Sequence, residues 1–402
     1  MYGNDKKPLG IYVHIPFCAK KCLYCDFVSM PERKDGLAKS YIDALQAEIS
    51  GYREKFGCKD TEYAVKTIYI GGGTPSILAP FFILRILEKI REVFDVSADA
   101  EITIEANPGT LDADRLKVYR EAGINRLSIG LQSANDNELK ALGRIHDLDD
   151  FMKAYEAAAA AGFDNISVDV MTAIPYQTLD SLRFTLDTVT GLDPAPKHIS
   201  AYSLILEEGT PFYEMYKEKR DMKTEEPSPC LHVQLPDEDL ERAMYHFTVD
   251  HLKERGYERY EISNFSRSGF ESRHNTAYWR RRDYIGFGLA AASCVNGVRY
   301  QNTIRIDEYI NGPGLDDRFE EVTVLKPEDE MSEFMFLGLR MCEGVRAGDF
   351  LREFDKELTD VYGREIQRLV KEGLLVHDGT MDRYYLTDKG IDYGNYAFSQ
   401  FV

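Results

Sequence analysis

The chain has 402 residues, 44% apolar and 29% charged, an ordinary globular mix with room for one large α/β domain and a smaller one. Lys and Arg number 49 against 68 Asp and Glu, and the net charge of −19 argues against a general nucleic-acid binder or a polybasic membrane anchor. No apolar run is long enough for a transmembrane helix and the first residues lack the apolar stretch of a secretory signal, so no integral membrane segment is expected.

In chain order, β-branched apolar runs alternate with helical periodicities. Strands are expected at Gly10–Pro16, Lys66–Gly72, Glu101–Asn107, Arg126–Ser133, Asn165–Thr172 and His198–Leu206, and helices at about 36–56, 79–94, 112–121, 149–161 and 178–190. Gly123 and Gly162 stand where two of these helices must end. Strands alternating with helices imply a parallel sheet. Six units are too few for a closed eight-unit barrel, so the fold expected is a partial (β/α)6 barrel or, failing that, a doubly wound open sheet. An acidic, Pro-rich stretch from about Asp221 to Asp239 reads as a loop. A helix at about 237–254 and a strand at Tyr257–Ile262 follow. From Pro327, helices at about 327–341, 346–354 and 359–372 precede strands Leu374–His377 and Tyr384–Leu386, a winged-helix-like pattern suited by its acidity to packing or lid duty rather than DNA. The domains expected are 1–220, 221–310 and 311–402.

Strand alternation singles out one face. Ile102 and Ile104 oppose Thr103 and Glu105; Leu127, Ile129 and Leu131 oppose Ser128, Gly130 and Gln132; Val168 and Val170 oppose Ser167 and Asp169. A packed barrel interior would be filled with Val, Ile and Leu. Small polar residues predict a cavity, and Glu105, Gln132 and Asp169 lie toward the carboxyl ends of their strands, where parallel α/β folds bind ligands.

Three of the seven cysteines fall within eight residues, as Cys18-x3-Cys22-x2-Cys25 directly after the first strand. An odd count with one tight cluster suits a reducing cytosol and a soft-metal site rather than a disulfide framework. A four-iron cluster normally takes four cysteines. Here Phe27 occupies the next candidate position, so such a cluster would keep one iron open to a small molecule. Structural thiols, or a zinc site completed by His14, are the alternatives. Gly71-Gly72-Gly73-Thr74-Pro75 ends the second strand without the spacing of a phosphate loop or a dinucleotide fingerprint.

Tyr12-Val13-His14-Ile15-Pro16-Phe17-Cys18-x3-Cys22-x2-Cys25 resembles the radical S-adenosylmethionine (SAM) superfamily, in particular the branch of oxygen-independent coproporphyrinogen III oxidase and the HemW-type heme chaperones. The likeness continues through Gly-Gly-Gly-Thr-Pro-Ser, Glu105-Ala106-Asn107-Pro108, Gly130-Leu131-Gln132-Ser133, Asp169 and Glu261-Ile262-Ser263-Asn264-Phe265. It implies a [4Fe–4S] cluster on Cys18, Cys22 and Cys25, with SAM chelating the open iron. One electron into the sulfonium would release a 5′-deoxyadenosyl radical. It further implies Tyr12 beside cluster and SAM, Phe27 at the site, Gly72, Gly73 and Thr74 at the methionyl end, and Glu105, Gln132, Arg144 and Asp169 around the rest.

Within that branch, Phe27 in place of a fourth cysteine and a short amino-terminal extension resemble the chaperones. So does Arg273-His274-Asn275-Thr276-Ala277-Tyr278-Trp279, similar to their His-Asn-x-x-Tyr-Trp motif, where imidazole is a competent axial ligand for heme iron and Tyr and Trp offer flat apolar surface. The alternative for His274 is a capped loop histidine with Tyr278 and Trp279 in the core. Two departures stand out: Ala173-Ile174-Pro175-Tyr176-Gln177-Thr178 replaces Gly-Leu-Pro-Gly-Gln-Thr, and Gly288-Leu289-Ala290-Ala291-Ala292 replaces Gly-Ala-Gly-Ala-His. The expectation is a cytoplasmic heme chaperone with heme-acceptor proteins and an electron donor such as flavodoxin or ferredoxin as partners. The alternative is a radical enzyme acting on a tetrapyrrole.

Overall fold

The computed structural model describes residues 6–31, 36–56, 62–221, 235–312 and 319–402. The six expected strands form as β1 (Lys7–Ile15), β2 (Tyr63–Gly72), β3 (Val96–Ala106), β4 (Arg126–Gln132), β5 (Ile166–Thr172) and β6 (His198–Ser203), hydrogen-bonded in that order and all parallel. Helices Leu37–Phe56, Pro80–Val93, Ala113–Glu121, Leu148–Ala160 and Leu179–Thr190 return the chain between them. This is the partial (β/α)6 barrel. Twelve strands join the sheet among the described residues, and its order has two free ends.

The outward faces explain why it holds together. Ile11, Val13, Ile68, Ile70, Ile104, Ile129 and Val168 are fully buried against Tyr41, Ile42, Leu45, Ile83, Leu87 and Ile90 of the helices. Each such side chain contributes roughly 1.5–3 kcal/mol relative to exposure. Caps fix where helices begin. The Asp147 side chain accepts from Asp150 N–H, and that of Thr178 from Ser181 N–H, in reciprocal capping boxes.

A seventh parallel strand, β7 (Tyr284–Phe287), pairs on the free side of β1 and leads into antiparallel strands Ala292–Val295, Val298–Asn302 and Phe319–Val324. The sequence reading missed β7 because its four residues carry too little pattern. Of the strand expected at Tyr257–Ile262 only Glu258–Arg259 forms, and a second short strand, Asn264–Ser266, follows it. Between them sits Glu261, fully buried: one oxygen accepts from Ser263 N–H (2.7 Å) and Asn264 Nδ2 (2.6 Å), the other from Arg340 Nε (3.0 Å). A buried carboxylate needs those donors, and the chain turns to supply them. Residues 222–234 of the expected acidic loop lie outside the described residues.

A second apolar core gathers Met331, Met335, Leu339, Phe350, Leu358, Ile366 and Leu369 under a small sheet of Val345–Arg346, Arg383–Leu386 and Leu375–Asp378. This C-terminal domain meets the barrel through Arg340, which pairs with Glu261 and lies 4.4 Å from the centre of the Trp279 ring. Among the described residues, no helix is long and apolar enough to cross a membrane.

Candidate functional site

The carboxyl ends of β2 to β6 and the loop after β1 enclose a cavity of about 140 Å³. Cys18, Cys22, Cys25, Phe27, Gly72, Gly73, Thr74, Glu105, Gln132, Arg144 and Asp169 all line it, so residues dispersed over 150 positions of sequence meet at one place. Gly73 backs the thiols: a Cβ there would stand 2.7 Å from the Phe17 carbonyl and 3.0 Å from Cys18 Sγ. Thr74 Oγ1 donates to Cys18 Sγ (3.6 Å) and Arg144 Nη1 to Cys22 Sγ (3.7 Å). Burial pushes the Cys18 and Cys25 thiols up. Among the described residues no three His, Cys, Asp or Glu side chains converge on a single ion. His14 is committed elsewhere, with Nε2 donating to the Val28 carbonyl (2.8 Å) and Nδ1 accepting from Tyr12 Oη (3.0 Å), so it does not complete a zinc site as it stands. A four-iron cube spaces its thiolates further apart than one ion does, and three thiols with neighbouring N–H and O–H donors are a donor set that fits it.

The far wall is carboxylate. Glu105 accepts from Tyr69 Oη (2.7 Å) and Gly72 N–H (3.1 Å), and burial pushes its carboxyl up to about 7. Asp169 is likewise raised by burial, and Ser128 Oγ reaches its two oxygens at 3.1 and 3.3 Å. Arg144 is tied down by Asn107 Oδ1 (2.8 Å) and the Gly130 carbonyl (2.7 Å), leaving its Nε buried without a partner. Gln132 sits at a bulge against β5 with φ +71°, a left-handed conformation that costs a non-glycine residue strain and turns the amide toward Tyr202 Oη (3.1 Å).

Tyr12 and His274 stand apart from this group. They line an adjoining cavity of about 730 Å³, within the range common for cofactor sites, together with Tyr69, Tyr278, Trp279 and Tyr284. The two cavities share Phe27, Gly72 and Glu105. His274 is 2% exposed on the helix Arg273–Trp279, whose first N–H groups bond the Glu101 carboxylate. Its ring stacks on Tyr69 at 5.1 Å, Nδ1 meets Thr67 Oγ1 (2.8 Å) and Nε2 meets Tyr278 Oη (2.9 Å). Burial, then the charge of Arg126, lowers the imidazole to about 3, so it is neutral.

Tyr69, Tyr202 and Arg126 escaped the sequence reading. Tyr69 and Arg126 share the inward parity of Gly71 and Ser128, so strand alternation places them on the same face. The departures noted above fall on strained backbone: Ala173, Tyr176 and Ala290, each at a glycine position of the resembled pattern, have φ of +58°, +68° and +58°.

Residues 12–189 match the Radical SAM superfamily and residues 325–393 the HemN C-terminal domain. A Lactococcus lactis protein named "Heme chaperone HemW" is 36% identical over 99% of this chain and 98% of its own length. A Bacillus subtilis protein of the same name is 36% identical over 97% of this chain and 98% of its own. The solved coproporphyrinogen III oxidase (HemN) of Escherichia coli, a radical SAM enzyme, superposes with a TM-score of 0.81 at 25% identity, covering 98% of this chain and 90% of that one. The chain therefore belongs to the radical SAM superfamily and, within it, to the HemW family.

Proposed function

We propose that this protein is a heme chaperone. It holds a [4Fe–4S] cluster on Cys18, Cys22 and Cys25, SAM in the polar cavity and heme in the aromatic one, and it delivers heme to acceptor proteins in the cytoplasm. The observation that carries this reading is the pair of cavities meeting at Phe27, Gly72 and Glu105, one lined by three thiols, carboxylates and Arg144, the other by His274, Trp279 and four tyrosines among charged residues. When bound, the cluster would supply an electron, drawn from a donor such as flavodoxin or ferredoxin, to SAM at the iron no side chain holds.

The chain's own groups have separable tasks. Thr74 and Arg144 stabilise thiolate charge at Cys18 and Cys22. Glu105, already the acceptor for Gly72 N–H, accepts from the SAM amino group, and Asp169 from the ribose hydroxyls. Gln132 closes that side, and Gly73 keeps the backbone low under the thiols. In the larger cavity Tyr12, Tyr69, Tyr278 and Trp279 offer ring faces to a porphyrin. His274 is the proposed axial ligand, and ligation through Nε2 requires the Tyr278 hydroxyl to swing away.

The test is a heme titration of anaerobically reconstituted protein, followed by absorbance and then by transfer to an apo-hemoprotein. Saturable binding and transfer are expected. Conversion of coproporphyrinogen III in the presence of SAM and reductant would instead make the protein an enzyme.

A further inference from the structure

Arg126 is among the largest fully buried side chains in the molecule, 2% exposed, and lies at the start of β4 on the inward face. Buried arginines normally meet a carboxylate. This one has a buried Nε without a hydrogen-bond partner and, among the described residues, no ion pair. Its partner across β3 is Thr103, also fully buried with a hydroxyl that bonds nothing. One step further along the same ladder, Ser128 pairs with Glu105, and Ser128 Oγ donates to Asp169. Arg126 therefore sits two residues, about 7 Å of strand, beneath the layer holding both carboxylates.

We propose that Arg126 is a positioning residue for the SAM cavity, supplying the counter-charge of Glu105 and Asp169 from the layer below without occupying their oxygens. The inference rests on the SAM reading above. Two carboxylates buried in one cavity oppose each other's ionisation. A guanidinium in direct contact would relieve that but would consume the lone pairs that an amino group and ribose hydroxyls need. Set one layer down, it acts through the low-dielectric interior and leaves the oxygens free.

The surroundings leave few other sources of that charge. Glu105 is faced by Tyr12 of β1, Tyr69 of β2, Asp169 of β5 and Tyr202 of β6; the Tyr69 hydroxyl and the Gly72 N–H stabilise its charge by hydrogen bonds, but none of these groups carries a positive charge. Asp169 is faced by Ser128, Ser200, Arg126 and Arg144. Arg144 is tethered to Asn107, Gly130 and Cys22, and Lys20 and Lys21 border the cavity from the cysteine loop. Arg126 lowers both carboxyls, and it lowers the imidazoles of His198 and His274 as well.

The test is SAM binding to anaerobically reconstituted protein, by calorimetry across pH 6 to 9, for wild type, Arg126→Gln and Arg126→Lys. Arg126→Gln should weaken SAM at pH 7 by roughly tenfold and move the acid limb of binding up by about one pH unit, and Arg126→Lys should restore most of both. Iron content and heme affinity should stay as in wild type. Wild-type affinity and pH profile in Arg126→Gln would overturn the proposal, whereas wild-type protein that binds no SAM would overturn the SAM reading itself. An infrared pH titration of the wild-type apoprotein, assigned with Glu105→Gln and Asp169→Asn, needs no Arg126 variant to fold. Ionised carboxylates at pH 8 are expected, and a protonated carboxyl band at that pH would refute the assignment.

Discussion

The two cavities differ in how they are made. The polar one is assembled from the ends of consecutive parallel strands, which carry Glu105, Gln132 and Asp169 and are laddered on both sides, and from the cysteine loop after β1. The aromatic one borrows Tyr12 and Tyr69 from that ladder but draws its other walls from a seven-residue helix, from β7 and the antiparallel strands after it, and from the C-terminal domain. A rigid frame suits a small ligand that must be aligned with a metal centre. A wall shared between domains suits a large flat ligand that must enter and leave.

That contrast can be broken in several places. The largest effect is expected for Cys18→Ala, Cys22→Ala or Cys25→Ala, which should abolish iron–sulfur absorbance after anaerobic reconstitution, since two thiolates cannot hold the cube. Retained absorbance in any one of them would remove that residue from the ligand set. Asp169→Asn should weaken SAM roughly tenfold or more while leaving heme affinity unchanged, as measured by parallel titrations. If heme affinity fell equally, the cavities would not be separable.

The pH dependence follows from Glu105. Its carboxyl is raised to about 7, so below that pH the protonated form predominates and gives up one charge-assisted bond from the SAM amino group. SAM affinity should therefore fall as pH drops through about 7, and Glu105→Gln should flatten the profile. An equally steep profile in that variant would assign the titration to another group.

Smaller effects sharpen the account of the aromatic side. Tyr278→Phe removes the hydroxyl that occupies His274 Nε2, and heme affinity should rise a few-fold, about the worth of one hydrogen bond. His274→Ala should change the heme absorption spectrum, and an unchanged spectrum would make His274 a wall rather than a ligand. Smallest of all, Ala173→Gly and Tyr176→Gly should each raise the unfolding free energy of the apoprotein by up to ~1 kcal/mol, because both residues hold a left-handed backbone. Lower midpoints in urea would show that local contacts outweigh the strain.

How far the sequence could be read also divides along this line. Period-two alternation exposed the inward faces of β3, β4 and β5, and the cysteine spacing exposed the loop, so most of the polar cavity was legible. Arg126 was not, because a lone buried cation looks like a strand-end surface residue until the sheet is assembled. Gln132 was placed on the right face, but the bulge that aims it was invisible. On the aromatic side the motif around His274 was legible and its environment was not. Thr67, Tyr69 and Tyr278, which engage its ring, come from a distant strand and from one helical turn away. The four residues of β7 and the turn that buries Glu261 depend on contacts that no local pattern encodes.

The central claim is that thiol-bound cluster and SAM share one cavity while heme occupies its neighbour. The direct measurement is electron paramagnetic resonance of the reduced, heme-loaded protein before and after SAM is added, with heme followed by absorbance in the same sample. The account predicts that SAM shifts the cluster signal and heme stays bound. An unshifted signal, or heme released mole for mole by SAM, would contradict it.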